Sequence, residues 1–521
     1  MGLKLTGALF YAVKLYGLLV GAAFILLITR NLAPEEYGAW SVISSLLTYA
    51  TAGTVVNYWV TRLRAYGDAS ATSTGFALAA AFSFATSAAF ATLASTLTGL
   101  FMVPFAAIWL AMPYIPVLYA NSALYAAVYA IKPRAAALSE FTFETAKLVL
   151  ALVFALGGRV TLREAMLAVL GGYAAQLASL LWTVGGEAFR RPNAGTAKRI
   201  LSYSWLSALS LLASLIGSAD VLLLSHFSSN EAVAYYTVVL VYSNAIVYSY
   251  LLARGLYQQL LSAGNKPELV EESLRAVLLF AVPSTVGAIA LAPNLLYLLN
   301  PLYAKGADVL QAAALTAFLG TVNGVLLDAI QGAERVDAFA VSHKELVKSK
   351  LFKVVALNYA KNAVALTGIA FTIALAKAPV VAAAGARLSW LAAELLASCA
   401  LFRLARSLGV RAPAKEAIEF AIAALVACYP AILINPLRIR EALLALFIAA
   451  LTYFATLYFL SRWFRLQVSR AFKILTKMLE SVEKRMNGAF RGALVSASTL
   501  FPLVRETHMY RRCQKVNEVR R

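Results

Sequence analysis

The sequence predicts an all-α polytopic membrane protein with about fourteen transmembrane helices, and two observations lead to this fold class. The chain has 521 residues, of which 61% are hydrophobic and 14% are charged, whereas an average soluble domain carries roughly 25% charged residues. Apolar runs of about 20 residues recur from end to end. Because only a segment that satisfies its own backbone hydrogen bonds can cross hydrocarbon, these runs are expected to be helices.

The predicted spans follow one another with short polar links. The first run is too long for a cleaved signal peptide, and the stretch after it is not a small-residue cleavage site. The fifth span is short and carries Glu144 and Lys147. The fourteen spans lie near residues 6–29, 38–60, 73–97, 103–131, 140–157, 164–184, 201–224, 232–253, 276–298, 308–331, 353–375, 380–402, 416–434 and 440–461.

A polar link that occurs twice, about 195 residues apart, indicates two related halves. Residues 30–40 join the first two spans, and residues 225–236 form a blurred copy between two later spans. Glu36 corresponds to Glu231 in this comparison. An internal repeat of this kind is typical of transporters whose substrate passes between two facing bundles.

The loop charges set the orientation. With the N-terminus inside, the inner loops carry about twenty-one Lys and Arg and the outer loops about seven, which is a strong positive-inside bias. The bias also supports an even number of spans. We therefore expect a multi-pass protein of the cell membrane with both termini in the cytoplasm.

Four segments are predicted along the chain. Residues 1–200 form an N-lobe of spans 1–6, residues 201–412 a pseudo-symmetric C-lobe of spans 7–12, and residues 413–463 an extra helix pair. Residues 464–521 form a basic tail in which apolar residues recur every three to four positions. That pattern is typical of an amphipathic helix on the inner membrane surface, where it serves as an anchor or docks under the bundle.

Several function classes are disfavoured by composition and motifs. The net charge of +21 does not indicate nucleic-acid binding, because the basic residues lie in short loops and the tail. No Walker A loop, dinucleotide fingerprint or metalloprotease motif occurs in the sequence. The cysteines and histidines are too scattered for a metal site; they are Cys399, Cys428, Cys513, His226, His343 and His508. We expect no cofactor, no metal and no enzymatic activity.

The candidate substrate-binding residues are four cations inside predicted spans. A charge near the bilayer centre costs at least about 2.5–3.5 kcal/mol, so each requires a reason. An unpaired cation in a wet cavity is suited to hold a phosphate, although Glu144 could instead neutralise its neighbour three residues on. Spans 5 and 11, counterparts in the repeat, both carry an Ala-Lys pair. The four residues are Lys14, Lys147, Lys361 and Arg387.

A second set of embedded polar residues is assigned to ion coupling or to a polar cavity wall. Asp220 lies in the seventh span, Tyr242 and Asn244 lie in the middle of the eighth, and Asn57 lies towards the inner end of the second. Hydrogen bonding between helices is an equally good use for the tyrosine and the asparagines.

Several loose stretches resemble the polysaccharide flippases of the multidrug/oligosaccharidyl-lipid/polysaccharide exporter superfamily, the Wzx-like group. Residues 30–40 resemble that family's first outer loop, and residues 219–236 its seventh span and the following link. Residues 300–311 resemble its ninth-to-tenth link, and residues 331–337 the end of its tenth span. The likeness covers about residues 5–405.

The resemblance implies a V of two six-helix lobes around a central cavity that works by alternating access. It implies that a lipid-linked oligosaccharide moves from the inner to the outer leaflet for cell-surface polysaccharide or glycoprotein assembly. The carrier's phosphate or pyrophosphate would then be held by Lys14, Lys147, Lys361 and Arg387. The implied partners are the lipid-linked glycan, membrane lipids and glycosyltransferases or a polymerase of the same pathway. We expect a monomer that binds no nucleic acid.

Two other readings remain open. A drug or cation antiporter of the same superfamily would rely on embedded acids, but embedded cations are at least as numerous here. An integral-membrane glycosyltransferase or polymerase would need catalytic acids in a sizeable outer loop, and the outer loops are short.

Overall fold

The fold is all helical over the part of the chain that the structure, a computed structural model, describes. That part comprises residues 2–158, 160–253, 266–333 and 349–470, with Leu256 and Leu260, and no strand occurs in it. The predicted loop 334–348 and the tail beyond residue 470 lie outside the described residues. The chain separates into a large unit, Met1–Tyr453, and a small unit, Phe454–Arg521.

Eight helices come from the first part of the large unit. They are α1 (Gly2–Asn31), α2 (Pro34–Ala50), α3 (Asn57–Ala65), α4 (Ser70–Phe101), α5 (Phe105–Ala111), α6 (Tyr114–Ile131), α7 (Pro133–Leu156) and α8 (Leu162–Val184).

Eleven further helices follow. They are α9 (Ala194–Gly217), α10 (Ala219–Phe227), α11 (Asn230–Val238), α12 (Leu240–Tyr248), α13 (Pro267–Ala290), α14 (Ala292–Leu299), α15 (Ala307–Ala333), α16 (Lys350–Leu375), α17 (Pro379–Arg406), α18 (Ala414–Ile434) and α19 (Ile439–Leu460). Residues 462–470 are also helical.

The helices match the predicted spans. Within the described residues, 11 helices are long and apolar enough to cross a membrane, and α2 with α3 forms a further span bent by 49°. The other two predicted spans are α1, with 30 residues, and α7, which carries Glu140, Glu144 and Lys147. The predicted all-α polytopic fold class is confirmed, and the helix number is consistent with about fourteen spans.

Helix starts are encoded by local chemistry. Proline occupies the first turn of α2, α7, α13 and α17, where its missing N–H costs no hydrogen bond. The Asn193 side chain caps α9 by accepting from the Thr196 N–H at 3.0 Å. Thr161 and Glu164 form a capping box at α8. These signals fix where each helix begins.

Two spans are each interrupted by a single non-helical residue, and the first of these residues, Ser218, lines the cavity described below. The seventh span is interrupted at Ser218, between α9 and α10, and the eighth at Val239, between α11 and α12. The first break puts Asp220 in the opening turn of α10, where its carboxylate accepts from the Val221 N–H at 2.7 Å. A carboxylate is favoured there because helix N-termini carry positive partial charge.

Small residues allow α16 and α17 to pack closely. A Cβ atom at Gly385 would lie 2.6 Å from Thr372, and one at Gly368 would lie 2.8 Å from Ser389. The Gly385 contact supports the interpretation that small neighbours of Arg387 permit close helix approach. Arg387 is thereby held at a tightly packed helix pair.

The extra helix α18 lies along α13. Arg275 forms an ion pair with Glu416 at 3.1 Å near the start of both helices. Asn294, just after α13, donates to Asn435 at 2.7 Å at the opposite end. These contacts fasten α18 to α13; the division into lobes at residues 200 and 412 stays a prediction.

Candidate functional site

A central cavity of about 1050 Å³ lies between helices from both halves of the large unit. Its walls come from α1, α2, α7 and α8 on one side and from α9–α12, α16 and α17 on the other. A smaller pocket of about 350 Å³ shares Trp40, Ser44 and Tyr173 with the wall. The cavity is large enough for a polar headgroup with several contacts, since ligand pockets usually measure about 300–1,000 Å³.

The cavity is closed at the end of the bundle where α1 finishes at Asn31. There Arg30 donates to the Leu298 carbonyl at 2.9 Å. A Cβ atom at Gly38 would lie only 1.7 Å from the Asn230 carbonyl oxygen, so α2 and α11 touch backbone to backbone. Ser41 and Thr237 hydroxyls are 2.9 Å apart across the same boundary. The cavity therefore opens away from the Asn31 end.

Lys147 reaches the cavity from α7. Its Nζ lies 2.6 Å from Glu144 and is buried, with a side-chain exposure of 10%. The same ammonium lies 5.0 Å from the Phe24 ring centroid and 4.8 Å from that of Phe143. Two aromatic faces and one carboxylate therefore fix the position of this ammonium at the cavity wall.

Lys361 and Glu394 join α16 to α17. The lysine Nζ lies 2.8 Å from the carboxylate, which also accepts from the Asn323 side chain of α15 at 2.7 Å. Asn323 in turn accepts from Ser398 at 2.8 Å. Lys361 lines the cavity while its carboxylate partner sits behind the wall. The pair combines a cation at the surface with a fully hydrogen-bonded anion beneath it.

Arg387, on α17, is buried, with 8% of its surface exposed. Its Nε and Nη2 both donate to the Tyr236 carbonyl, at 3.2 and 2.6 Å, and its guanidinium carbon lies 3.7 Å from the Tyr236 ring centroid. Asp220 accepts from the Tyr236 hydroxyl and from the Trp390 indole at 3.0 Å. Among the described residues Arg387 forms no ion pair.

The structure brings five of the eight predicted site residues to the lining of one cavity. They are Lys147, Lys361, Arg387, Asp220 and Asn244. Among the described residues, three cations and one carboxylate therefore line the cavity, because Glu144 and Glu394, which pair with two of these cations, are not lining residues. The arrangement presents positive charge to a ligand.

The other three predicted residues contact protein outside the cavity lining. Lys14 forms an ion pair with Glu140 at 2.6 Å, the Tyr242 hydroxyl donates to the Leu295 carbonyl at 2.5 Å, and Asn57 donates to Ser122 at 2.8 Å. For Tyr242 and Asn57, hydrogen bonding between helices is the use that the contacts reveal.

The structure contradicts the expectation of an unpaired cation for Lys14 and Lys361, and for Lys147 it shows the pairing with Glu144 that was kept open. Each has a carboxylate within 2.8 Å. The partners of Lys14 and Lys361 come from other helices, so no spacing along a single helix indicates them. Only Lys147 pairs within its own helix, as the alternative reading allowed.

Several cavity residues were not among the predicted ones. Trp390 and Tyr236 were missed because nothing in their sequence neighbourhood separates a cavity aromatic from a core aromatic. Ser44 and Thr48 could have been found, because α2 carries hydroxyls at a spacing that puts them on one helix face.

The fold and the cavity define a polytopic helical membrane protein with two helix sets around one central chamber, which Lys147, Lys361 and Arg387 line. Solved structures of other proteins share this fold. The solved structure of lipid II flippase MurJ in an inward closed conformation matches with a TM-score of 0.66 at 12% identity, covering 87% of this chain and 99% of that one.

A second solved structure is an inward-facing multidrug resistance MATE family transporter of the MOP superfamily. It matches with a TM-score of 0.56 at 14% identity, covering 77% of this chain and 99% of that one. No family model and no curated protein matches the sequence. The chain therefore has the fold of the multidrug/oligosaccharidyl-lipid/polysaccharide exporter superfamily, which confirms the fold that the resemblance implied. The Wzx-like subgroup stays a prediction.

Proposed function

We propose that this chain is a flippase that moves a lipid-linked oligosaccharide from the inner to the outer leaflet by alternating access. The carrier's phosphate or pyrophosphate binds in the central cavity, and the glycan serves cell-surface polysaccharide or glycoprotein assembly. Residues 1–200 and 201–412 act as the two lobes that rock against each other. The protein resides in the cell membrane with both termini in the cytoplasm.

The observation that carries this proposal is the charge of the cavity wall. Lys147, Lys361 and Arg387 line one chamber, against Asp220 as the lining carboxylate among the described residues. Each cation also has a fixed geometry, because a carboxylate, a carbonyl or an aromatic ring holds it. Cations preorganised in a low-dielectric site are suited to a multiply charged phosphate group.

A cavity that is closed at the Asn31 end is suited to bind substrate from the inner leaflet. The halves are in contact at the Asn31 end, which the positive-inside rule places outside. The two structures with this fold are likewise described as inward closed and inward-facing. An inward state with bound anion is the starting point that the proposed direction of transport requires.

The drug or cation antiporter is the runner-up. The multidrug transporter similarity favours it at the level of fold alone. A cationic substrate would meet three positive side chains in this cavity, which costs binding energy at each close approach. An enzymatic role has less support, since two solved structures that share this fold are a flippase and a transporter.

Reconstitution tests the proposal. The purified chain is placed in vesicles with a fluorescent polyprenyl-diphosphate oligosaccharide, and a membrane-impermeant quencher reports the leaflet of the label. We expect accelerated exchange of that lipid and no change in its chemical structure by mass spectrometry. Exchange of a fluorescent hydrophobic cation instead of the anionic lipid would identify an antiporter, and an extended or shortened glycan would identify an enzyme.

A further inference from the structure

One face of α2 presents hydroxyls to the cavity. Ser41, Ser44, Ser45 and Thr48 are spaced by three and four residues, so they share one side of the helix, and all four line the cavity. Ser44 and Thr48 are exposed to it. We call these two residues the α2 hydroxyl face. At 1.5 Å per residue the four positions extend over roughly 10 Å.

The hydroxyl protons of Ser44 and Thr48 are donated to backbone carbonyls of α2 itself. The Ser44 hydroxyl donates to the Trp40 carbonyl at 2.9 Å, and the Thr48 hydroxyl donates to the Ser44 carbonyl at 3.0 Å. A hydroxyl has one proton and two lone pairs. Each of these groups therefore offers only acceptor capacity to a ligand in the cavity. Ser218, on the facing wall, likewise donates to the Ser214 carbonyl at 3.0 Å.

The hydrogen-bond donors of Tyr236 and Trp390, which also line the cavity, are already used within the protein. Tyr236 and Trp390 both direct their protons at Asp220. The Tyr236 ring is covered by the Arg387 guanidinium, and the charged donors that line the cavity are Lys147, Lys361 and Arg387. The walls thus divide the cavity into a region that accepts hydrogen bonds and a region that binds an anion.

The two regions are adjacent. The Ser41 hydroxyl lies 2.9 Å from that of Thr237, whose neighbour Tyr236 holds Arg387 through its carbonyl. From this contact α2 runs away from the closed end of the cavity, carrying Ser44 and Thr48 with it. The α2 hydroxyl face therefore begins beside the anion site and extends towards the opening.

Lys147 approaches the α2 hydroxyl face from the other side. Its Nζ lies 5.0 Å from the Phe24 ring centroid, and that ring lies 6.4 Å from the ring of Trp40. The carbonyl of Trp40 is the one that takes the Ser44 proton. Two cations thus stand near the start of the same hydroxyl row.

We propose that the α2 hydroxyl face binds the sugar hydroxyls of the substrate as a row of hydrogen-bond acceptors, next to the cations that hold its phosphate. This inference rests on the proposed function and assigns the glycan part of the substrate to the α2 hydroxyl face. A sugar carries many O–H donors, whereas a phosphate anion carries acceptors alone and suits the cations instead. The wall therefore selects a ligand with hydroxyl donors and a negative charge on the same molecule.

The test compares three probes on the wild-type protein in nanodiscs: a short-chain prenyl diphosphate, the same diphosphate with a disaccharide, and that disaccharide with every hydroxyl methylated. Methylation removes the donors and keeps the acceptor oxygens. Fluorescence of Trp40 and Trp390 in the cavity wall reports binding. We expect the free-hydroxyl probe to bind roughly two- to tenfold more tightly than the methylated probe for each hydrogen bond formed.

The double variant Ser44→Ala/Thr48→Val tests whether α2 is the part of the cavity that binds the sugar hydroxyls. It should bring the two disaccharide probes to equal affinity and leave the affinity for prenyl diphosphate unchanged. Thr142→Val is the matched control, because Thr142 makes the same bond to the carbonyl four residues earlier, at 3.0 Å, and does not line the cavity. Thermal unfolding of both variants checks the fold independently.

Each outcome decides a different point. Equal affinities of the wild type for both disaccharide probes overturn this inference, as does a preference that survives in Ser44→Ala/Thr48→Val. In either case, binding of prenyl diphosphate leaves the proposed flippase intact. If none of the three probes binds, the proposed function itself is wrong and the inference falls with it.

Discussion

Arg387 donates two hydrogen bonds to the backbone carbonyl of Tyr236 and stacks on the ring of the same residue, with 3.7 Å between the guanidinium carbon and the ring centroid. One residue thus fixes both the position and the plane of the cation. The contact with α11 uses Nε and Nη2, and Arg387 lines the cavity. A planar guanidinium fixed on one edge is preorganised to bind a phosphate with the other.

Replacing this arginine tests the anion site. Arg387→Gln removes charge-assisted hydrogen bonds to a phosphate, worth about 1.5–3 kcal/mol, so the affinity for prenyl diphosphate should fall roughly 10- to 100-fold. Titration of the protein in nanodiscs measures the affinity. Arg403→Gln, on the same helix but exposed and away from the cavity, is the control. An equal loss in both variants would mean that Arg387 has no special role.

The sequence predicted the fold class and part of the cation set because both depend on composition and on the depth of a charge in a span. Lys147, Lys361 and Arg387 were found in this way, since a buried cation in an apolar run requires a compensating contact. The carboxylate that pairs with a cation, in contrast, is determined by tertiary packing and can lie far away along the chain. Glu140 lies 126 positions from Lys14 along the chain, yet their side chains are 2.6 Å apart.

The same limit explains which polar residues were misplaced. Depth in a span does not reveal the direction of a side chain around the helix axis. Tyr242 points to the Leu295 carbonyl and Asn244 to the cavity, although they are two residues apart. In contrast, the α2 hydroxyls are spaced regularly, so their common face can be predicted from the sequence without knowledge of the tertiary packing.

Lys361 should be structural as well as functional. In Lys361→Met the carboxylate of Glu394 is left buried without its cation, which typically costs about 3–5 kcal/mol. We expect a clearly lower melting temperature in detergent. Lys361→Met/Glu394→Gln removes both charges and should recover most of the lost stability, because Gln can still accept from Asn323.

Transport separates the two roles of Lys361. If the lysine also binds the substrate phosphate, the double variant should fold normally and still flip lipid-linked oligosaccharide several-fold more slowly in vesicles. A double variant with wild-type flipping would restrict Lys361 to a structural role.

Lys14 and Lys147 make a matched pair for the cavity assignment. Both form an ion pair with a glutamate of α7 at 2.6 Å, but only Lys147 lines the cavity. Lys147→Met should weaken prenyl diphosphate binding, and Lys14→Met should leave it within about twofold of wild type, because the Lys14–Glu140 ion pair lies outside the cavity lining. Equal weakening by both substitutions would contradict the cavity boundary.

Asp68 gives a pH dependence outside the spans. Burial acts to raise its pKa, but hydrogen bonds from Ser70 and Thr196, together with Arg199, hold the pKa below the usual value of 3.8. Because the folded pKa is depressed, these contacts stabilise the folded state fully above about pH 4, and the stabilisation is lost as the pH falls through the folded pKa.

Melting temperatures of the wild type and of Asp68→Asn measure this contribution. The difference should be constant from pH 7 to pH 5 and should shrink below about pH 4 as Asp68 becomes protonated. Arg199→Gln should reduce the same difference, since it removes the ion pair at 2.8 Å. A difference that grows on acidification would contradict the assignment.

The contact between Gly38 and Asn230 should set how firmly the cavity is closed. In most helices Gly→Ala stabilises by about 1 kcal/mol, but here the new Cβ would lie 1.7 Å from the Asn230 carbonyl oxygen. A backbone atom cannot rotate aside as a side chain can, so α2 and α11 must separate. Gly38→Ala should therefore shift the protein towards a state that is open at the Asn31 end.

Accessibility of residue 41 measures that shift. Ser41→Cys, in a background without the native cysteines, lies behind the contact and hydrogen-bonds position 237 across it. A membrane-impermeant maleimide applied from the Asn31 side should label it faster when Gly38→Ala is added. Gly99→Ala is the control, because a Cβ at Gly99 meets no atom within 4 Å. Labelling at one rate in both backgrounds would show that closure does not depend on Gly38.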